Sequence, residues 1–221
     1  MTVQRLRDTV LARSVASRIP GALTRGPTHD LEGRPLLYLT VDDGPDLEGT
    51  PLWLECLARH RARATFFVSR APAQAHPDLL RDVLEAGHRL GNHGGAHVSA
   101  WRTRPSLVLE GFDATERILD GLGARAVRDV RPPYGRVTPG LVRWTRRGRR
   151  RLVLWDAMPG DYLEGRSASR LAREILATSR PGSVVVLHDG APAHRATGAL
   201  EVALGQLAAA GWRFPHLPSP T

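Results

Sequence analysis

The sequence has no lysine and almost no cysteine. All 31 basic residues are arginine, and the chain of 221 residues contains one cysteine, Cys56. A single cysteine excludes an internal disulfide, and its apolar neighbours Trp53, Leu54 and Leu57 predict a buried, unreactive thiol. Arginine in place of every lysine indicates a high-GC coding bias rather than selection for a particular partner.

Long apolar runs are also absent. No stretch of about 18 apolar residues occurs, so the sequence predicts no transmembrane helix. Residues 1–34 predict a helical extension packed on the domain, because apolar residues recur at helical spacing at Val3, Leu6, Val10, Leu11 and Val15. Charged residues interrupt the apolar core that a signal peptide needs, namely Arg5, Arg7, Asp8, Arg13 and Arg18. We therefore expect no secretion signal, which leaves the location open with the cytoplasm as the default.

Acidic residues are too few to balance the arginines. The formal net charge is +9 and the pI is near 11.2. The densest basic run extends from Arg143 to Arg151, and we interpret it as a solvated helix end and loop, with a polyanion site as the alternative. We expect no nucleic-acid partner. The sequence does not specify an oligomeric state, and a monomer is the working expectation.

The chain has enough apolar residues for one domain. With 42% hydrophobic residues, we expect a single α/β domain over residues 35–218. Short β-rich segments alternate with helical patterns through about seven cycles, which predicts a parallel sheet covered by helices. The predicted strands are 36–41, 64–68, 88–91, 127–131, 152–155, 183–187 and 212–217. Periodicity alone leaves a nearly closed barrel and an open doubly wound sheet as alternatives.

Polar residues with chemical potential follow these predicted strands. They are Asp42, Asp43, His93, His97, Arg131, Asp156, Asp161 and His188. In parallel α/β barrels the active site is built from loops at the carboxyl ends of the strands. If the strand predictions hold, these side chains converge at one edge of the sheet.

The histidine pair indicates a metal site. His93 and His97 are four residues apart, so both imidazoles can face one point, and Gly94 and Gly95 between them indicate a loop with unusual backbone angles. Two histidines and one carboxylate leave a coordination position open for water, which a hydrolytic metal requires.

Two adjacent carboxylates supply the acidic part of the pattern. Asp42 and Asp43 repel each other when both are ionised, so nearby cations must lower that cost. A metal can hold one of them and Arg131 can pair with the other.

Five segments of the chain resemble the polysaccharide deacetylases with the NodB homology domain, carbohydrate esterase family 4. In order, they are Thr40-Val41-Asp42-Asp43-Gly44-Pro45, His93-Gly94-Gly95-Ala96-His97, Arg131-Pro132-Pro133-Tyr134-Gly135, Trp155 through Asp161-Tyr162, and Leu187-His188-Asp189. The resemblance extends from about Leu36 to Leu217. It implies a distorted (β/α) barrel and settles the choice left open by periodicity in favour of the barrel.

The resemblance also implies roles for the charged residues. The metal triad would be Asp43, His93 and His97. Asp42 would be the general base, oriented by Arg131. His188 would be the general acid, oriented by Asp161.

A further group of residues would bind the substrate. The resemblance implies that the backbone N–H of Tyr134 stabilises the oxyanion and that Leu187 lines the acetyl pocket. Pro133, Tyr162 and Trp101 are expected along the substrate groove, and Tyr162 stands where the family frequently has tryptophan.

These roles predict a metal-dependent hydrolase that removes acetyl groups from a carbohydrate polymer or oligomer, using metal-activated water. An N-acetylated amino-sugar glycan is the first expectation for the substrate. The alternatives are an O-acetyl esterase acting on a glycan such as xylan, and a non-catalytic metal-binding module that holds an acidic polymer. Zinc is the expected cofactor, with cobalt, nickel, iron or manganese as alternatives.

Overall fold

A parallel six-stranded sheet forms the centre of the molecule. The computed structural model describes residues 19–123, 128–190 and 192–219. The strand order is β5-β4-β3-β2-β1-β6, and every neighbouring pair is parallel. The strands are β1 (Tyr38–Asp42), β2 (Ala64–Val68), β3 (Arg89–Asn92), β4 (Asp129–Val130), β5 (Arg151–Leu152) and β6 (Val184–His188). This curled arrangement confirms the predicted barrel-like α/β fold.

Helices follow most of these strands. Within the described ranges they are α1 (Gly49–Arg59), α2 (Arg70–Ala75), α3 (Pro77–Glu85), α4 (Pro105–Gly121), α5 (Pro139–Arg147), α6 (Ala168–Thr178) and α7 (Ala193–Ala209). Three of them begin with proline, whose fixed φ suits the first helical turn and whose missing N–H costs nothing there. Side-chain oxygens of Thr138 and Ser167 accept backbone N–H groups at the starts of α5 and α6.

The sheet has six strands because the last predicted segment does not extend it. Residues 212–217 form one bridge, between Leu36 and Arg213, and the Leu37 N–H donates to the Arg213 carbonyl at 2.9 Å. Pro215 lacks the N–H that a continuing ladder needs. A different segment closes the gap between the edge strands, because Leu23 bridges Val153 beyond β5 and residue 25 bridges residue 183 before β6.

The two faces of the sheet bury different cores. On the outer face, Leu39 and Val41 of β1 pack with apolar residues of the covering helices, including the buried Cys56. On the inner face, Tyr38 and Phe67 pack with residues such as Trp155 and Val186. The alternation follows from the two-residue period of a strand. It also directs Thr40, Asp42 and His188 toward the inside of the barrel.

The predicted N-terminal helix falls largely on residues 1–18, which lie outside the described residues. In the part of the chain that the structure describes, no helix combines the length and apolarity needed to cross a membrane.

Candidate metal and catalytic site

The carboxyl edge of the sheet brings the predicted polar residues together. Asp42 ends β1 and pairs in register with His188, which ends β6 on one side. Phe67 of β2 is its partner on the other side. Asn92 ends β3, so His93 emerges at the same edge. Residues far apart in the chain therefore meet here because parallel strands all point their carboxyl ends the same way.

Asp43, His93 and His97 have the geometry of a metal triad. The Asp43 Oδ1 atom lies 3.3 Å from His93 Nε2 and 3.4 Å from His97 Nε2. All three potential ligand atoms lie within 4.8 Å of one another. A tetrahedral ion with bonds of about 2.0–2.1 Å separates its ligands by about 3.3–3.4 Å. Asp43 Oδ1 is buried and lacks a hydrogen-bond partner among the described residues, so a cation between these atoms would satisfy it.

The backbone at Asp43 is shaped to aim its side chain at the histidines. Its φ of 79° lies in the left-handed region, and its N–H donates to the Phe67 carbonyl at 3.1 Å. Burial alone would raise the pKa of Asp43, but His93, with smaller contributions from His188 and His97, holds it well below the ordinary value. The carboxylate is therefore ionised and ready to act as a ligand at neutral pH.

Asp189 supports the loop that carries Asp43. Its carboxylate accepts a hydrogen bond from the Thr50 hydroxyl at 2.6 Å. A Cβ at Gly44 or Gly49 would approach its oxygens to 2.3 or 2.2 Å, so only glycine permits this packing. Burial raises the pKa of Asp189 to about 6. Asp189 therefore has a structural role, which the sequence analysis did not assign.

Asn92 positions the loop between the two histidines. Its amide donates to the Phe112 carbonyl at 2.8 Å, and its side-chain oxygen accepts the Gly94 N–H at 2.9 Å. The Thr115 hydroxyl on α4 also donates to the Gly94 carbonyl, at 2.9 Å. The sequence analysis missed Asn92, because an asparagine beside a histidine carries no distinctive pattern.

Close backbone contact with α4 fixes the same loop. A Cβ on Gly111 would lie 2.8 Å from the Gly95 nitrogen and 2.9 Å from its Cα, so the two glycines approach as only glycines can.

Gly111→Ala is expected to destabilise the protein by about 1–3 kcal/mol and to weaken metal binding, because the loop that holds His97 must shift. Gly121→Ala, on the same helix with open space around it, is the control and should stabilise by up to about 1 kcal/mol. Urea unfolding measures the change in the free energy of unfolding for each of the two variants. Equal stability of the two variants would show that the glycine contact does not hold the loop.

Arg131 is fully buried and holds Asp42. Its Nη1 donates to Asp42 Oδ1 at 2.6 Å and to the Thr40 hydroxyl at 2.8 Å. Its remaining nitrogens donate to the Val153 and Leu154 carbonyls, and its guanidinium lies 4.1 Å from the centre of the Phe67 ring. The arginine is thus locked on every side, and it keeps the neighbouring carboxylate in one orientation.

His188 is paired with a buried carboxylate. Its Nδ1 lies 3.0 Å from Asp161 Oδ1, and its backbone N–H donates to Asp161 Oδ2 at 2.6 Å. Burial lowers the pKa of His188, but the charge and hydrogen bond of Asp161 outweigh burial and raise it to about 9. Arg195 on α7 donates to the Asp161 carbonyl at 2.5 Å and so supports this loop, a contact that no sequence pattern signalled.

Two of the predicted groove residues lie next to the site. Tyr134 has a φ of 59°, its ring centre lies 4.5 Å from that of His97, and its N–H makes no hydrogen bond to the described part of the chain. Tyr162 packs edge-on against His188 with ring centres 5.1 Å apart. Trp101 is 49% exposed on the loop after His97.

The remaining candidates occupy other positions. Pro133 is buried and lines a small apolar cavity of about 220 Å³ behind the histidine loop. Leu187 packs in the outer core beneath the helices, whereas Val186 lies in the inner core on the same face of β6 as His188. The structure therefore does not bring Leu187 to the site, and two-residue strand periodicity explains why. Asp156 also lies apart, in an ion pair of 2.7 Å with Arg25.

A hydrolase that works through one metal ion accounts for the arrangement at this edge. Asp43, His93 and His97 could hold one divalent ion and leave a position for water. A fixed carboxylate, Asp42, adjoins them, and the paired His188 is near enough for its charge to lower the pKa of Asp43. Comparison with known proteins gives the same class. The chain belongs to the polysaccharide deacetylase family, whose model matches residues 30–147.

Individual relatives carry specific names. A peptidoglycan-N-acetylglucosamine deacetylase of Bacillus cereus is 34% identical over 183 residues, which cover 82% of this chain and 66% of the relative. A chitooligosaccharide deacetylase of a Bradyrhizobium strain is 33% identical over 175 residues, covering 79% of this chain and 80% of that one. The chain thus spans about two thirds to four fifths of these relatives.

Solved structures agree with the fold. The crystal structure of a peptidoglycan N-acetylglucosamine deacetylase superposes with a TM-score of 0.84 at 30% identity, covering 94% of this chain and 95% of that one. A carbohydrate esterase family 4 pseudoenzyme of Bacillus anthracis has the same fold with a TM-score of 0.79 at 21% identity, covering 89% of this chain and 67% of that one. Because a pseudoenzyme shares the fold, activity depends on the side chains at the site and not on the fold alone.

Proposed function

We propose that this protein is a metal-dependent deacetylase that hydrolyses the N-acetyl group of an amino-sugar glycan or oligosaccharide. The observation that carries the proposal is the separation of Asp43 Oδ1 from both imidazoles, 3.3 and 3.4 Å, beside an independently anchored Asp42. The names of the relatives support an N-acetylated amino sugar as the substrate. A pseudoenzyme would not be expected to retain every one of these side chains.

The proposed roles follow from the surroundings of each side chain. A divalent cation at the triad would activate water and polarise the acetyl carbonyl. Asp42, which accepts a hydrogen bond from Arg131 and is fixed by it, accepts a proton from the attacking water. His188, kept protonated by Asp161, donates a proton to the departing amine. The two titrating groups lie in opposite electrostatic environments, which suits them to opposite tasks.

Tyr134 and Val186 complete the proposal. We propose that the backbone N–H of Tyr134 donates a hydrogen bond to the developing oxyanion. The left-handed backbone at Tyr134 leaves this N–H without an acceptor among the described residues. Val186 is proposed for the acetyl pocket in place of Leu187, since it is the apolar β6 side chain on the His188 face.

Zinc is the proposed metal because two imidazoles and one carboxylate suit it, and cobalt, nickel, iron and manganese remain candidates to be compared with it. Metal removal should reduce acetate release from N-acetylglucosamine oligomers by about 10³-fold or more, since the cation supplies several kcal/mol of charge stabilisation. The measurement is acetate release after chelation and dialysis, then after adding back each metal in turn. The same activity with and without chelation would contradict the proposal.

Acetylated xylan in the same assay separates the esterase alternative. The proposal requires higher kcat/KM on the N-acetylated oligomer than on the xylan at matched acetyl concentration. Acetate from xylan alone would favour the esterase, and acetate from neither, with metal still bound, would favour the non-catalytic module.

A further inference from the structure

A shallow cavity of about 520 Å³ lies beside the metal triad and is not used by the chemistry proposed above. Trp101, Arg102, Tyr134 and Arg136 supply most of its polar and aromatic lining. Tyr134 belongs both to this cavity and to the site, because its ring touches that of His97. A glycan chain with one sugar at the metal would therefore place a neighbouring sugar in this cavity.

Trp101 is held rigidly although it is half exposed. Its indole N–H donates to the Val137 carbonyl at 2.9 Å, and the guanidinium of Arg136 lies 4.2 Å from the ring centre. An exposed tryptophan that is already oriented loses little conformational freedom when a sugar ring stacks on it. The indole is thus suited to be a preformed stacking surface.

The loop that contains Trp101 carries charge of one sign. Arg102 and Arg104 are exposed on the loop that contains Trp101, and no acidic residue occurs from residue 98 to residue 109. Arg136, from the loop after Tyr134, adds a third guanidinium, which lies over the Trp101 ring. Guanidinium groups recognise carboxylates through paired N–H donors, so an acidic group is the complementary ligand.

We propose that Trp101, Arg102 and Arg136 form a subsite for a sugar that carries a free carboxylate, next to the N-acetylated sugar at the metal. This inference rests on the proposed deacetylase function and narrows the substrate to an acidic N-acetylated glycan. The aromatic surface binds the sugar ring, and the arginines select the carboxylate. A neutral glycan gains only the stacking contact.

The test compares two substrates that differ only in the charge at the neighbouring sugar. One is a β-1,4 tetramer that alternates N-acetylglucosamine with N-acetylmuramic acid, whose lactyl ether carries a free carboxylate. The other is the same tetramer with each carboxylate converted to a primary amide. The wild-type protein should show about 2- to 5-fold higher kcat/KM on the acid at low salt, the range for an exposed ion pair, and the ratio should fall as salt increases.

Arginine variants test whether the subsite causes the ratio of kcat/KM on the acid tetramer to kcat/KM on the amide tetramer. Arg102→Gln and Arg136→Gln should each bring the ratio toward one, whereas Arg143→Gln, which removes an exposed arginine from α5, should leave it at the wild-type value. Trp101→Ala should raise KM on both substrates with a smaller effect on kcat. A wild-type ratio of one, or a ratio that persists in both subsite variants, overturns the proposal.

The remaining outcomes are also decisive. Arginine and tryptophan together can bind single-stranded nucleic acid. Strong inhibition by a DNA oligonucleotide that is lost in Arg102→Gln, with a substrate ratio of one, would assign the surface to nucleic acid instead. If neither tetramer releases acetate, the deacetylase function fails, and equilibrium binding of the acid and amide tetramers then tests the subsite separately. Tighter binding of the acid form that is lost in Arg102→Gln would support the subsite, and equal binding would overturn it.

Discussion

Asp43→Asn is expected to abolish tight divalent-metal binding and to reduce acetate release by about 10³-fold or more. Asparagine tolerates the left-handed backbone found at this position, so the fold should persist while the anionic ligand is lost. The substitution replaces the one anionic ligand of the triad by a neutral amide, so only neutral groups face the cation. Titration with zinc, together with acetate release, measures the effect.

Asp42→Asn is the informative contrast, since it changes the adjacent residue. Its carboxylate is bound to Arg131 and is not part of the triad, so the variant should keep its metal. Loss of a general base should still reduce kcat by about 10²- to 10⁴-fold. Glu48→Gln, on an exposed acid of the same loop, should leave both properties near wild type. If Asp43→Asn binds zinc as tightly as wild type, the assigned triad is wrong.

His188→Gln is expected to lower kcat by about 10²- to 10⁴-fold without loss of metal, because the proton donor for the leaving amine is removed. The imidazole does not belong to the three side chains that converge as ligands. Acetate release measured alongside zinc titration separates this result from that of Asp43→Asn. A His188 variant that loses its metal would contradict the assignment as an acid.

Asp161→Asn tests the pairing of His188 with Asp161 through the pH dependence of kcat/KM. The acid must be protonated, so activity is lost as pH rises through the pKa of His188, which is about 9 because Asp161, with smaller contributions from Asp42 and Asp43, outweighs the effect of burial. Removing that carboxylate lowers the pKa and should move the alkaline limb of kcat/KM to lower pH. A bound cation lowers the pKa of His188 in the wild type and in the variant alike. The quantity to measure is therefore the difference between the alkaline limbs of the two proteins. Glu164→Gln, an exposed acid of the same loop, should not shift the limb.

Arg131 explains why a polar interior is tolerated in this small barrel. Its charge is fully buried, yet a carboxylate, a hydroxyl and two backbone carbonyls accept its hydrogen bonds. A buried charge with this many partners avoids the penalty of an unpaired ion. The same contacts keep the proposed base fixed beside the triad.

The sequence by itself determined the chemistry and the class of fold. Alternation of strands and helices predicted the parallel sheet, and this was enough to place Asp43, His93 and His97 at one edge, because residues that follow parallel strands share that edge. The family resemblance added the roles of Asp42 and His188. Local pattern suffices for these inferences because strand direction and the two-residue and 3.6-residue periods are properties of short segments.

Contacts between distant segments were decided only by the tertiary structure. The sequence did not indicate that residues 23 and 25 would bridge the two edge strands, or that Asn92 and Arg195 would hold the two catalytic loops. The face of Val186 is a different case, because the two-residue period of a strand already places it with His188, and the structure corrects the role that the family resemblance gave Leu187. Such details depend on register, on which groups meet across the barrel and on how closely two backbones approach, and these are fixed only when the whole chain is packed.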